Sequence, residues 1–288
     1  MCYGQYFSTD KYYIENNKFK ELKIKRVEQT LAEIPNSPYV KEYDSLGRLT
    51  AEYNLGLPGI SYEYKNSKDT LIREIYTDKW HDVFDPIAIE KFVYNKQKNI
   101  DLYIRIELEG NDEDSLIQIL FDKIEYNNNE IAAISHFRKF IPILENNQSS
   151  KTETSPFTLL QKDTFFYFKD NKTIVQSSFM ENNELVYSDT VKLDMDGKII
   201  SKYTYFKSLS SGREELKNVL ITEKTNYTKE YSTIENKMNY QVNTSKNRKS
   251  TNKRWKIYFD SNGLEIKSVI LDNNKKETPI QKTNYFYY

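Results

Sequence analysis

The chain has 288 residues with 42 basic and 42 acidic side chains, and 14% of its residues are aromatic, including 24 tyrosines. Disordered chains are poor in aromatic residues and usually carry net charge, so we expect a folded protein despite a mean hydropathy of -0.77. Zero net charge and a pI near 6.8 argue against nucleic acid as a partner. No apolar run reaches the roughly 18 residues of a membrane-spanning helix.

The amino-terminal segment contains the sole cysteine, Cys2, so the chain has no disulfide framework. Residues 2–5 are similar to the small-residue end of a secretory signal, and Cys2 would also suit lipid attachment at a mature amino terminus. Both interpretations predict export to the periplasm, the outer membrane or the outside of the cell. The alternative is that Met1 is the true start and Cys2 an ordinary residue. Residues 1–18 are predicted to be a flexible lead-in or the remnant of an export signal.

Residues 19–34 have an ambiguous apolar pattern. They fit two strand pieces or one irregular amphipathic helix. The strand interpretation is favoured because Pro35 and Pro38 then close the segment.

A strand, a tight turn and a second strand are predicted for residues 43–50. Asp44 can bond its own backbone two residues on, and Gly47 accepts positive φ without a Cβ clash. From Leu49 to Tyr53 apolar and polar residues alternate with the period of two that is typical of a half-buried strand.

The same pattern returns further along the chain, with weaker copies in which Asn or Lys replaces the glycine. Asparagine tolerates left-handed backbone better than most residues, so the replacement is physically sensible. The three closest copies are Tyr43, Asp44, Gly47 and Leu49; Leu193, Asp194 and Gly197; and Phe259, Asp260 and Gly263. The weaker copies follow Tyr64, Tyr94, Tyr126 and Phe168.

The Tyr-Asp-x-x-Gly-Arg-Leu run at residues 43–49 resembles the YD repeat of the Rhs family, and the copies around Gly197 and Gly263 resemble degenerate members. The resemblance implies tandem β-hairpins that wind into an extended sheet or shell, in an exported bacterial protein or lipoprotein. It implies no catalytic residue within the repeats.

We therefore predict an all-β protein of consecutive antiparallel hairpins with few or no helices. The hairpins form one long twisted, curved sheet, an open shell or half-barrel. Residues 19–145 are its first half, residues 146–156 a linker or long loop, and residues 157–288 its second half. Residues 116–124 fit a helix or a buried strand, and the strand is favoured because it leads into the Tyr126 hairpin.

The best polar cluster in the sequence is Trp80, His81 and Asp82, a weak candidate for a ligand site and more simply an ordinary loop. His136 lies on a predicted strand, and its side chain is expected on the outer face. Neither histidine has the spacing of a metal site, and no cofactor or metal is predicted. The acidic residues 112–114 and the basic residues around Trp255 are interpreted as solvated loops rather than calcium or nucleic-acid sites.

Motifs for nucleophilic catalysis and phosphate binding are absent from the sequence. The favoured function is therefore that of a non-enzymatic exported or surface-associated protein that binds a protein or glycan partner. The alternatives are a polysaccharide hydrolase with unidentified carboxylates and a periplasmic lipid carrier with a concave apolar face.

Overall fold

The computed structural model describes residues 15–54, 59–77, 86–109, 116–128, 130–142, 156–168, 172–211, 214–242 and 248–288. This part of the chain contains one helix, α1 (Asn17–Glu21), and is otherwise antiparallel β-structure, which confirms the predicted all-β class. The strands are β1 (Ile24–Leu31), β2 (Tyr39–Tyr43), β3 (Leu49–Asn54), β4 (Ile60–Ser67), β5 (Thr70–Thr77), β6 (Ala88–Tyr94), β7 (Ile100–Glu109), β8 (Leu116–Asn127), β9 (Glu130–Pro142), β10 (Thr158–Tyr167), β11 (Thr173–Met180), β12 (Leu185–Leu193), β13 (Ile199–Ser211), β14 (Glu214–Tyr227), β15 (Tyr231–Val242), β16 (Arg248–Phe259), β17 (Glu265–Leu271) and β18 (Glu277–Tyr287).

The 18 strands close into a barrel. Each strand pairs with the next along the chain, and β18 returns to pair with β1 from Ile24 opposite Tyr287 to Leu31 opposite Gln281. The predicted open shell or half-barrel is therefore wrong, and so is the identification as an Rhs-type repeat shell. Hairpin motifs specify pairing only between neighbouring strands, whereas closure depends on contact between the two ends of the chain.

Four hairpin turns at one end of the barrel, which we call the turn end, share one hydrogen-bond pattern. The Asp44 Oδ1 atom accepts from the backbone N–H groups of Leu46 at 2.9 Å and Arg48 at 3.0 Å. Equivalent pairs of bonds are accepted by Asn95, Asp194 and Asp260. Gly47, Gly197 and Gly263 take φ values of 75°, 78° and 68°. Each motif thus forms a local turn, as its sequence predicts.

Tyrosine side chains next to the turn end tie neighbouring hairpins together. The hydroxyl of Tyr64 donates to the carbonyl oxygen of Leu49 at 2.7 Å, and that of Tyr126 donates to Ile100 at 2.8 Å. In each case the ring covers apolar neighbours while the polar tip bonds the backbone at the start of an earlier strand. Tyrosine is therefore a structural residue at this end of the barrel.

Helix α1 packs against the turn end. Asn16 caps it by accepting from the N–H group of Phe19 at 3.1 Å, and its own N–H donates to the Gly47 carbonyl at 3.0 Å. Phe19 packs edge-on against Tyr43 at 4.8 Å between ring centroids. The strand predicted from residue 19 therefore begins only at Ile24. Sequence periodicity over so short a segment does not separate a single helical turn from a strand.

We expect Gly47→Ala to destabilise the protein by about 2–4 kcal/mol. The added Cβ atom would lie 2.4 Å from the backbone oxygen of Asn16, in addition to the strain of positive φ. Gly263→Ala is the control, because it has a similar φ but its Cβ would meet only the flexible Lys18 ammonium at 3.5 Å. Urea unfolding followed by circular dichroism should show a clearly smaller loss for the control. Equal losses would mean that α1 does not dock on the Gly47 turn.

The inner wall between β5 and β12 is layered. Toward the turn end it carries one apolar cluster of buried side chains, including Leu71, Phe92, Ile124, Ile134, Phe165, Ile174 and Val191. Two residues further from the turn end, the same strands carry Arg73, Glu90, Asp122, His136, Asp163, Gln176 and Asp189. Side chains two apart on a strand share a face, so both layers line the interior. The side chains of the apolar layer are at most 9% exposed, so this part of the inner wall is closely packed.

The outer face differs around the circumference. On β7 and β8 it is aliphatic and aromatic, with Ile104 opposite Phe121 and Ile106 opposite Ile119. On β15 and β16 it is charged, with Glu235 opposite Arg254. Within the part of the chain that the structure describes, no helix has the length and apolar character needed to cross a membrane.

Candidate functional site

The residues singled out from the sequence lie mostly away from the barrel interior. Cys2 and the cluster of Trp80, His81 and Asp82 fall outside the described residues, as do residues 112–114. The ten motif residues form the turns and strand ends described above. The basic residues around Trp255 do not form one patch, because strand alternation places Lys256 on the opposite face from Lys253.

His136 lies on the inner wall and forms the centre of a buried polar cluster. Its Nδ1 atom is 2.6 Å from Asp122 Oδ1, and its Nε2 atom is 3.5 Å from Asp163 Oδ2. The predicted position on the outer face is therefore wrong. A period of two shows which side chains share a face, and only the register with β8 and β10 shows which face is inside.

The charges of this cluster stabilise one another. Burial by itself would lower the pKa of His136, but its hydrogen bonds to Asp122 and Asp163 outweigh burial and raise the pKa to about 9. Burial would raise the pKa of Asp163, but hydrogen bonds from His136, Gln161 and Ser178 outweigh it and lower that pKa. At neutral pH the imidazole is therefore protonated and held between two carboxylates.

A second cluster surrounds Glu90, whose side chain is 2% exposed. Its carboxylate accepts from Arg73 at 2.5 Å, from the Tyr103 hydroxyl at 2.6 Å and from Arg105 at 3.1 Å. The Nε atom of Arg105 also donates to Glu107 at 2.7 Å. Burial, then the nearby charge of Glu90, raises the pKa of Tyr103, so this phenol stays protonated as a donor.

A third cluster is centred on Asp189, which is fully buried on β12. The carboxylate accepts from the hydroxyl of Tyr187 and lies 2.7 Å from the Lys202 ammonium. Burial, followed by the hydrogen bond to Asp189, raises the pKa of Tyr187. The ring of Tyr187 packs on Phe206 at 5.0 Å, so aromatic and charged groups lie side by side on this wall.

The acidic and basic side chains of these clusters differ in the fraction of their surface that is exposed. The side chains of Asp122, Asp163 and Asp189 are 5%, 4% and 0% exposed. Those of Arg105 and Lys202 are 33% and 29% exposed. These three carboxylates are thus covered, and Asp189 Oδ1 has no hydrogen-bond partner among the described residues. Arg105 and Lys202 are the more accessible side chains of their clusters, together with Glu107 at 27% exposed.

The sequence contains a pattern that indicates these buried clusters. Glu90 is flanked two residues away on both sides by Ala88 and Phe92, which share its face and are buried. Asp122 likewise has Leu120 and Ile124 two residues away, whereas Asp163 has Phe165 on one side only. A charged residue inside an apolar face is rare unless it is paired, so it marks a buried ion pair. The partners come from other strands, and the sequence does not name them.

A cavity of about 520 Å³ lies where β1, β17 and β18 meet. Its lining is mostly apolar and includes Leu31, Ala32, Pro35, Ile266 and Pro279. Among the described residues no group of three histidine, cysteine or carboxylate side chains is placed to hold a metal ion. The apolar lining of the cavity suits an apolar molecule.

No protein-family model matches the chain, and no curated protein matches it. Among the solved structures that match, that of a porin-like protein from Bacteroides vulgatus ATCC 8482 aligns with 92% of this chain and 99% of its own chain. The identity is 10% and the TM-score 0.35. A likeness at this level places the chain in no family.

Proposed function

We propose that the protein is a non-enzymatic, exported and outer-membrane-associated barrel that binds a glycan in its interior. The observation that supports the proposal is the polar layer on the inner wall, where charged side chains alternate with aromatic rings such as those of Tyr103 and Tyr187. Saccharides offer hydroxyl groups for such donors and apolar ring faces for aromatic side chains. The partly exposed Arg105 and Lys202 are the groups of this wall that such a ligand would reach.

The inner-wall carboxylates support binding rather than hydrolysis. A two-carboxylate glycosidase needs one group free to protonate the leaving oxygen and another free to attack or to activate water. Asp122 and Asp163 are brought together but are both engaged by His136, and both are almost fully covered. The hydrolase alternative therefore receives no support from this cluster.

Association with a membrane, rather than insertion of the whole barrel, fits the outer face better. Strands β2 and β3 have five and six residues, whereas a membrane-crossing strand needs about 9–11. Outward charges such as Lys237 and Arg254 would face lipid, at a cost of about 2–4 kcal/mol each at the bilayer midplane. Membrane fractionation in the native cell tests this part of the proposal, and resistance to carbonate extraction would contradict it.

The binding site can be tested by blocking the interior. In a Cys2→Ser background we would introduce Lys253→Cys on the inner face of β16 or Lys237→Cys on the outer face of β15. Both native lysines are exposed, and they lie on neighbouring strands. Each variant is labelled with a bulky polyethylene glycol maleimide and applied to a glycan array.

We expect the inner label to abolish binding of the glycans that the unlabelled protein retains, and the outer label to leave binding unchanged. Equal loss with both labels would place the glycan site outside the barrel. Retention with both would also contradict an interior site. Unlabelled variants provide the control for the substitutions themselves.

A lipid carrier is the second candidate, because the cavity between β1, β17 and β18 is mostly apolar. Native mass spectrometry before and after organic extraction separates the two. A lipid-sized mass that extraction removes would support the carrier. An unloaded mass that shifts only on addition of an array-selected glycan would support the interior glycan site.

A further inference from the structure

The register of β5 to β9 places three arginines in one row across the inner wall. Arg73 pairs with Glu90, Glu90 with Arg105, Arg105 with Leu120, and Leu120 with Arg138. The arginines therefore occupy every second strand of the row. Since neighbouring strands lie about 4.8 Å apart, successive arginine positions are separated by about 10 Å.

The three guanidinium groups are not equally engaged. Arg73 is held by Glu90 and packs on the rings of Tyr62 and Phe92. Arg105 directs Nε to Glu107 and only one terminal nitrogen to Glu90, and its side chain is one-third exposed.

Arg138 forms no ion pair with any carboxylate in the described part of the chain. Its guanidinium lies 5.0 Å from the centre of the Phe140 ring. Among the described residues no carboxylate engages this guanidinium, and arginine binds planar anionic groups in a bidentate manner.

Apolar and cationic groups surround the free side of Arg138. Leu120 lies between Arg105 and Arg138 in the row, and Phe140 lies beside Arg138. His136, two residues earlier on the same face, is held between Asp122 and Asp163 and so offsets part of their charge. The wall thus presents an apolar strip bordered by two partly free guanidinium groups.

We infer that the ligand of this wall is an acidic polysaccharide whose carboxylate or sulfate groups bind Arg105 and Arg138 and whose sugar face covers Leu120 and Phe140. The inference rests on the proposed interior glycan site and specifies its substrate class. In a polysaccharide with one charge per disaccharide, the distance between neighbouring charges is similar to the distance between successive arginines in the row. The flanking carboxylates of Glu90 and Glu107 are already bound to arginine and therefore repel such a ligand less.

The test compares dextran sulfate with uncharged dextran of the same length, each carrying a fluorescent label, by fluorescence anisotropy on the full-length protein. We expect dextran sulfate to bind and Arg138→Gln to weaken it at least about tenfold, as expected for a lost charge-assisted bidentate contact. Arg254→Gln, which removes a cation from the outer face of β16, should leave the affinity unchanged. Arg138→Lys keeps the charge and should bind with intermediate affinity.

The other possible outcomes would overturn the inference or assign the arginine row to another ligand. Equal binding of both dextrans, or binding of neither, overturns the acidic substrate class, whereas the interior glycan site stands or fails with the labelled variants on the glycan array. Equal weakening by Arg138→Gln and Arg254→Gln, in variants whose circular dichroism matches the wild type, also overturns the inference. Poly-glutamate that binds as tightly as dextran sulfate would reassign the arginine row to an acidic protein segment.

Discussion

His136→Leu is expected to lower the free energy of unfolding by about 3–5 kcal/mol at pH 7, the range found when one partner of a buried ion pair is removed. The substitution leaves Asp122 and Asp163, both at most 5% exposed, without the positive charge between them. Urea unfolding followed by circular dichroism gives the value. Lys123→Leu is the control, because this lysine on the neighbouring β8 is 59% exposed and should change stability by at most about 0.5 kcal/mol.

The same variant should change the dependence of stability on pH. The pKa of His136 is about 9 in the folded protein and about 6.5 when unfolded. A group whose pKa is raised on folding stabilises the folded protein fully below its unfolded pKa, and for His136 this stabilisation is lost as pH rises from 6.5 through 9. The loss amounts to about 3 kcal/mol.

The pKa of Asp163 is lowered on folding, so the stability that Asp163 contributes is present above its unfolded pKa and is lost as pH falls through its folded pKa.

Because the stabilisation by His136 is lost as pH rises from 6.5 through 9, the wild-type protein should lose stability between pH 7 and 9 more steeply than His136→Leu. Parallel stability curves for the two proteins over this range would contradict a charged His136.

Glu90→Gln is the second substitution with a large expected effect, about 2–4 kcal/mol of destabilisation. It leaves the guanidinium of Arg73, whose side chain is 16% exposed, without its only described carboxylate partner. Gln also accepts fewer of the bonds that Arg73, Tyr103 and Arg105 now donate to Glu90. Glu125→Gln is the control, since Glu125 is 48% exposed and pairs only with Lys123 among the described residues.

A double-mutant cycle makes the Glu90 prediction specific. If the ion pair is the cause, Glu90→Gln combined with Arg73→Gln should be less destabilising than the sum of the two single variants, because neither charge is then left unpaired. Strict additivity of the two losses would show that Glu90 and Arg73 act independently. Far-ultraviolet circular dichroism at low denaturant establishes that the barrel is formed in each variant.

The sequence by itself determined the class of fold and the local turns. Asp44 accepts from backbone groups within its own turn, and Gly47 provides the positive φ that the turn requires. The same holds at Asp194 and Asp260. These interactions span four residues or fewer, so a short motif contains all the atoms that they need. For this reason the hairpins were predictable.

Closure of the barrel and the orientation of its strands were decided only by the tertiary structure. Each face of β9 mixes polar and apolar side chains: His136 and Phe140 lie on the inner face, and Lys139 and Ile141 lie on the outer face. The alternation on this strand therefore did not show that His136 faces inward. Alternation determines which side chains share a face, and only the register with the neighbouring strands determines which face is inside. The buried ion pairs join residues of different strands, and only the register brings those residues together.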